Sequence, residues 1–200
     1  MADLIGVFGG TFNPPHLGHL ILAEEARAEL KLEKILWVVT EVPPHKPDWP
    51  ILSLDQRLAM VEVAIGGNPH FQISRADIDR NPPYYAHGTL AWLKERSPGA
   101  KFAYLMGGDS LLDLPKWNQP QLLVERSEHV VVMRRPGAEY DLDRLYEQIP
   151  ALRQKLMLLE VPQIEISGHV IRKRIRSGGA YRYFLPESVY IYIEKNRLYR

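Results

Sequence analysis

"GVFGGTFNPPHLGH" runs from Gly6 to His19 and crowds Gly9, Gly10, Pro14, Pro15, His16 and His19 into the gap between a strand-like run and a helix-like run. Leu4 to Phe8 is a short apolar strand, and Leu17 to Leu30 carries apolar residues at helical spacing. The odd residues therefore occupy a strand-to-helix corner. In an α/β sheet such a corner lies at the carboxyl end of a strand, where crevices form and the next helix points its unpaired N–H groups outward. An anion is favoured there. Gly9 and Gly10 let a ligand approach the backbone, although glycines after a strand are also ordinary turn chemistry. Pro14 and Pro15 fix the start of the helix. If that helix starts near Pro15, His16 and His19 share its first turn and face one ligand. Metal ligation by this pair is disfavoured, because no third ligand lies at a telling distance and no His-Glu-x-x-His pattern is present. Imidazoles presented to phosphate fit better.

Beyond the corner, strand-like runs recur at Ile35 to Thr40, Phe71 to Ser74, Phe102 to Met106, His129 to Met133 and Leu156 to Leu159, with helix-like stretches between them. This alternation predicts parallel strands joined by crossovers, an α/β sheet with helices on both faces. The runs at Leu4, Ile35 and Phe102 are apolar almost throughout, as strands covered on both faces should be. Phe71 to Ser74 alternates and belongs nearer an edge. Ser53 to Ile65 reads as a helix with Ser53 and Gln56 as a capping box and Gly66 and Gly67 as its stop. Tyr85 to Glu95 reads as another, ended by Pro98 and Gly99. Glu41 to Pro50 holds four prolines and is expected to be a stiff surface loop.

Two hundred residues, 46% hydrophobic and 24% charged, are enough for one apolar core, so a single domain over 1–200 is expected. The net charge of +1 gives no sign of nucleic acid or an acidic membrane as partner. Without cysteine there are no disulfides and no thiolate metal sites. No signal-peptide pattern and no membrane-length apolar run are seen, so a cytoplasmic protein is expected. A homo-oligomer stays open.

The tail differs from the rest. Residues 167–200 carry eight Lys or Arg against two acids and read as a basic, helical C-terminal segment. Within "ISGHVIR", Ile166 to Arg172, Ser167 caps a helix running to Ser177, with Gly178 and Gly179 as its stop. Ile171 and Ile175 form its buried stripe, and Arg172 and Arg176, one residue further round and four apart, can flank a groove. A solvated basic face is the bland reading; a second phosphate-binding helix end is the sharper one. Two such ends would hold a triphosphate between them.

The four motifs together resemble the nucleotidyltransferase superfamily with the (H/T)xGH signature, here His16-Leu17-Gly18-His19, and within it the bacterial nicotinate-nucleotide adenylyltransferase family. "GGTFNPPHLGH" matches the opening motif, "PPHK" at Pro43 to Lys46 the substrate loop, "GGDSLLDLPKW" at Gly107 to Trp117 the central motif, and "ISGHVIR" the ISSTxIR motif. Gly168 and His169 stand where serine and threonine are usual, and Pro82-Pro83-Tyr84-Tyr85 stands for PSYT. The resemblance covers essentially the whole chain and implies a Rossmann-like, doubly wound, mainly parallel sheet with a C-terminal helical segment. It also implies attack of the 5′-phosphate of nicotinate mononucleotide on the α-phosphorus of ATP, giving nicotinate adenine dinucleotide and pyrophosphate in NAD biosynthesis.

By this resemblance His16, His19 and Arg172 are catalytic. Gly9, Gly10, Thr11, Phe12, Gly18, Gly107, Asp109 and Ser167 join them around ATP, with Mg²⁺ held mainly by the phosphates. His45, Lys46, Tyr85, Asp109, Trp117 and Arg134 are assigned to the mononucleotide. Trp117 is either a stacking platform for the pyridine ring or a partly buried core residue. Asp109 is either a ribose partner or a plain helix cap. Phosphopantetheine adenylyltransferase is the nearest rival, but it usually has threonine at the position of His16 and a shorter chain. A nucleotide-sensing module without catalysis and a metal-dependent phosphohydrolase are the readings from other classes; for the last, a carboxylate cluster is missing.

Overall fold

The computed structural model describes residues 3–42, 51–134, 139–160 and 165–200. In chain order the elements are β1 (Leu4–Gly10), α1 (Leu17–Leu30), β2 (Ile35–Val39), α2 (Leu54–Ile65), β3 (Phe71–Ser74), α3 (Ala86–Arg96), β4 (Lys101–Gly107), α4 (Gly108–Asp113), α5 (Pro120–Arg126), β5 (His129–Met133), α6 (Leu142–Gln148), α7 (Leu152–Lys155), β6 (Leu156–Leu159), α8 (Gly168–Arg176) and α9 (Glu187–Asn196). The strands form one sheet in the order β3-β2-β1-β4-β5-β6. Every pairing is parallel. The chain thus leaves β1 toward β2 on one side and later returns to place β4 on the other. Loops diverge between the carboxyl ends of β1 and β4, which is where a doubly wound sheet opens a crevice.

Alternation along the strands sorts side chains to the two faces. Ile5 and Val7 of β1, with Phe102, Tyr104 and Met106 of β4, meet Leu90 and Leu93 of α3 and Leu123 of α5. On the opposite face Phe8, Ala103, Leu105 and Trp37 meet Leu22, Ala23 and Ala26 of α1. A third cluster ties the basic tail to the body: Ile171 and Ile175 of α8 and Val189 and Ile193 of α9 pack on Met60 of α2. That apolar seam carries the C-terminal segment to the sheet.

Several boundaries differ from the sequence reading: β2 ends at Val39 rather than Thr40, and β4 runs from Lys101 to Gly107 rather than from Phe102 to Met106. β1 ends at Gly10 rather than Phe8, because Gly9 and Gly10 stay in register with Val38 and Val39 of β2. The glycines therefore belong to the strand, and the corner starts at Thr11. α3 begins at Ala86, with Tyr85 as its extended N-cap residue. At α2, the Gln56 N–H donates to Ser53 Oγ at 3.3 Å, and the Ser53 hydroxyl donates to Gln56 Oε1 at 3.2 Å. The serine caps as expected, but the glutamine answers its side chain rather than its backbone.

Candidate active site

Where β1 ends, Phe12 takes a left-handed backbone, φ 47°, and turns its ring into the core, 2% exposed. The ring lies edge-on to Phe8 and His19, with centroids 5.3 and 5.1 Å away. Phe12 therefore supports the site from beneath. His16 is the extended N-cap residue of α1, outside the helix, and His19 is the third residue within it. Their rings stack at 3.6 Å with planes 21° apart. The His16 backbone N–H donates to His19 Nδ1 at 3.1 Å. This bond makes Nδ1 the acceptor, so in the neutral ring the hydrogen sits on Nε2.

Gly18 has a steric reason to be glycine. A Cβ there would stand 3.2 Å from His16 Nδ1 and 3.3 Å from its Cε1, pushing the stacked ring from its seat. Gly9 is similarly tight, since a Cβ would meet the Tyr104 hydroxyl at 2.8 Å.

The start of α8 lies against the corner between β1 and α1. Ser167 caps α8, its Oγ accepting the Val170 N–H at 3.3 Å. Arg172, one turn on, donates through Nη1 to the backbone oxygen of Asn13 at 2.7 Å. A segment near the start of the chain and one near residue 170 thus touch directly. Burial draws the Arg172 guanidinium below its ordinary value, and the neighbouring charge of Arg176 adds to this, against an opposing pull from Tyr199. Gly168 fits the joint, because a Cβ there would lie 3.1 Å from Asn13 O and 3.2 Å from Arg172 Nη1. Arg176, expected to flank the same groove, is exposed and does not line the cleft.

A cleft of about 550 Å³ joins these groups to the ends of β1 and β4. Gly9, Gly10, Thr11, Phe12, Gly18 and Ser167 line it beside the two histidines and Arg172. So do Tyr85, Gly107, Asp109, Trp117 and Arg134. Trp117 is partly buried, packing edge-on against Tyr104 at 6.4 Å, and also lines the cleft. Asp109 sits in the first turn of α4, with Gly107 as N-cap residue. Arg134 is exposed at the rim, 3.9 Å from Glu160. His45 and Lys46, with the rest of the proline loop from 43 to 50, lie outside the described residues.

Two buried charges escaped the sequence reading. Arg57 is 1% exposed and donates to the carbonyls of Leu52, Thr11, Thr40 and Glu41 at 2.7 to 3.0 Å. It clamps the corner after β1 to the end of β2. Its signal was available: an arginine three residues after Leu54 and four before Val61 lies on the apolar face of α2. Asp77 is 2% exposed and accepts from Thr40 Oγ1, Thr89 Oγ1 and Arg80 Nη2 at 2.8 to 3.0 Å. Arg80 in turn donates to the carbonyls of Pro83 and Tyr85, which fixes the segment leading into α3.

The geometry can grip a polyanion with imidazole, guanidinium and helix-end donors beside an aromatic wall. Residues 7–174 match the cytidylyltransferase-like family model. A relative from Thermomicrobium roseum, described as a "Probable nicotinate-nucleotide adenylyltransferase", is 42% identical over 98% of this chain and 91% of its own. One of the same description from Roseiflexus sp. RS-1 is 41% identical over 98% of both chains. The fold superposes on the nicotinic acid mononucleotide adenylyltransferase of Plasmodium falciparum complexed with NaAD, with a TM-score of 0.79, 19% identity and coverage of 98% of this chain and 97% of that one. By the family match and the two close relatives, this chain belongs to the cytidylyltransferase-like nucleotidyltransferases and, among them, to the nicotinate-nucleotide adenylyltransferase family.

Proposed function

We infer that this cleft is where the chain carries out its family's reaction, transfer of the adenylyl group of ATP to nicotinate mononucleotide with release of pyrophosphate. The observation that carries the reading is the Arg172 to Asn13 bond, which puts the α8 donors on the cleft that the stacked histidines line. In the proposed arrangement His19 Nε2–H and His16 bind the ATP phosphates, and His19 donates to oxygens that gain charge as the α-phosphorus is attacked. Ser167, the first N–H groups of α8 and Arg172 hold the β- and γ-phosphates and steady the leaving pyrophosphate. The backbone from Gly9 to Phe12, with Gly18 and Gly107, admits the nucleotide closely. Alignment and preorganised donors then supply most of the acceleration.

Mg²⁺ is proposed to be held mainly by the ATP phosphates and water, where it neutralises charge. Among the described residues no cluster of three or more His, Cys, Asp or Glu is arranged to hold a metal. Nor is any helix among them long and apolar enough to cross a membrane. A cytoplasmic location is part of the proposal.

For the acceptor, Trp117 stacks on the pyridine ring, Asp109 binds ribose hydroxyls, and His45, Lys46 and Arg134 meet the phosphate or ribose. Trp117→Ala is expected to raise the KM for nicotinate mononucleotide about tenfold, within the range of aromatic contact energies plus lost area. The KM for ATP should stay within twofold. Equal weakening of both substrates in steady-state assays removes the stacking role.

A reason for accepting the acid lies in α3. It opens on the cleft at Tyr85 and Ala86, and no side chain caps its N-terminus. A carboxylate near such an end is favoured by about 0.3–1 kcal/mol, rising to about 2 kcal/mol where partly buried. The kcat/KM for nicotinate mononucleotide is therefore expected to exceed that for the amide by about twofold to thirtyfold. Equal values for the two acceptors contradict this placement. The direct test of the reaction is mass-spectrometric identification of nicotinate adenine dinucleotide after incubation with ATP, Mg²⁺ and nicotinate mononucleotide; absence of that product overturns it.

A further inference from the structure

Asn13 joins three distant parts of the chain. It is 5% exposed, and its backbone oxygen holds Arg172 Nη1 at 2.7 Å. Its side-chain Oδ1 accepts the Tyr199 hydroxyl at 2.7 Å and faces the Leu52 N–H at 3.5 Å. Tyr199 reaches it by an unusual path. After α9 the backbone turns left-handed at Arg197, φ 50°, and again at Tyr199, φ 66°, which returns the ring to the seam formed by α8, α9 and α2. Burial holds the Tyr199 phenol well above its ordinary value, against the pull of the Arg172 and Arg57 guanidinium groups, so it remains a proton donor at neutral pH.

We propose that Tyr199 is a positioning residue for the phosphate grip: its hydroxyl fixes the Asn13 carboxamide, and Asn13 in turn holds Arg172 at the cleft. The proposal rests on the reading of Arg172 as a phosphate ligand. Tyr199 itself touches no substrate in this scheme. Its ring is anchored by the apolar seam, so the hydroxyl is the part with work to do at Asn13. Arg172 keeps one nitrogen on a fixed carbonyl, which limits the rotamers its remaining N–H groups sample before ATP arrives. Preorganisation of this kind shows up as affinity for the polyanion. A purely structural tyrosine lowers stability without distinguishing the substrates.

The test is a double-mutant cycle on the full chain, with Mg-ATP affinity measured by titration calorimetry. Tyr199→Phe keeps the ring and removes only the hydroxyl. It is expected to weaken Mg-ATP about fivefold to tenfold, the scale of one hydrogen bond. In an Arg172→Ala background the same change should cost less than about twofold, because the group it positions is gone. Equal weakening in both backgrounds, or none in either, overturns the proposal. Calorimetry of ATP alone needs no turnover, so failure to form the dinucleotide would count against the proposed function and leave this result readable.

Discussion

His19→Asn is expected to lower kcat about a hundredfold to a thousandfold while leaving the start of α1 intact. Asparagine places an oxygen near the position of imidazole Nδ1, so it can still accept the His16 N–H that His19 accepts at 3.1 Å. It has no atom where Nε2–H lies. The exchange therefore separates two duties of one ring, closing the first turn of the helix and donating to an oxyanion. Loss of a helix-end bond alone costs about 1 kcal/mol of stability and should barely alter kcat. Steady-state rates and denaturant midpoints measured together decide between the duties. Near-normal turnover in His19→Asn means that the ring is structural and that another group stabilises the phosphoryl oxygens. The stack on His16 sharpens the expectation, because rings 3.6 Å apart hold each other's orientation before substrate binds.

Arg57→Met should destabilise the fold by about 3–5 kcal/mol, the scale for leaving two or more of its carbonyl partners buried without a donor at about 1–3 kcal/mol each. Methionine is apolar and reaches only about as far as Nε of Arg57, so both the guanidinium's hydrogen bonds and the buried space it fills are lost. Carbonyls of Leu52, Thr11, Thr40 and Glu41 would lose the guanidinium that now serves all of them. An unsatisfied buried carbonyl costs about 1–3 kcal/mol, although those nearest the surface recover water. For a chain of this size the melting temperature should fall by about 10 °C. Arg57→Lys should recover only part of this, since a point ammonium with three donors cannot reproduce a planar fork with five. A melting shift below about 2 °C contradicts the clamp. Thr11 lies in the corner proposed to admit the nucleotide, so residual activity should fall with stability.

The parallel sheet was legible because its strands are apolar runs of strand length separated by helical spacing. β3, β5, β6 and α1 lie at their expected bounds, each set off by a local signal such as the proline pair before α1. Gly9 and Gly10 misled because glycine usually marks a turn; here pairing with β2 outweighs that preference. Most of the cleft was legible too, since His16, His19, Ser167, Arg172 and Trp117 sit in motifs with chemistry of their own. Arg57 and Asp77 were missed for a common reason: a charge reads as surface until its partners are known, and theirs come from separate elements. The bond from Tyr199 to Asn13 spans 186 positions and leaves no periodic trace. Such joints depend on tertiary packing, here the seam of α8 and α9 on α2.

Both ends of the chain gripping one triphosphate is the idea on which the other assignments depend. A crystal structure with a non-hydrolysable ATP analogue and Mg²⁺ reads this out atom by atom. Phosphate oxygens within about 3 Å of both His19 Nε2 and the Arg172 guanidinium are the predicted result. A triphosphate bound away from one of these groups, with Arg172 engaged only to Asn13, would contradict it.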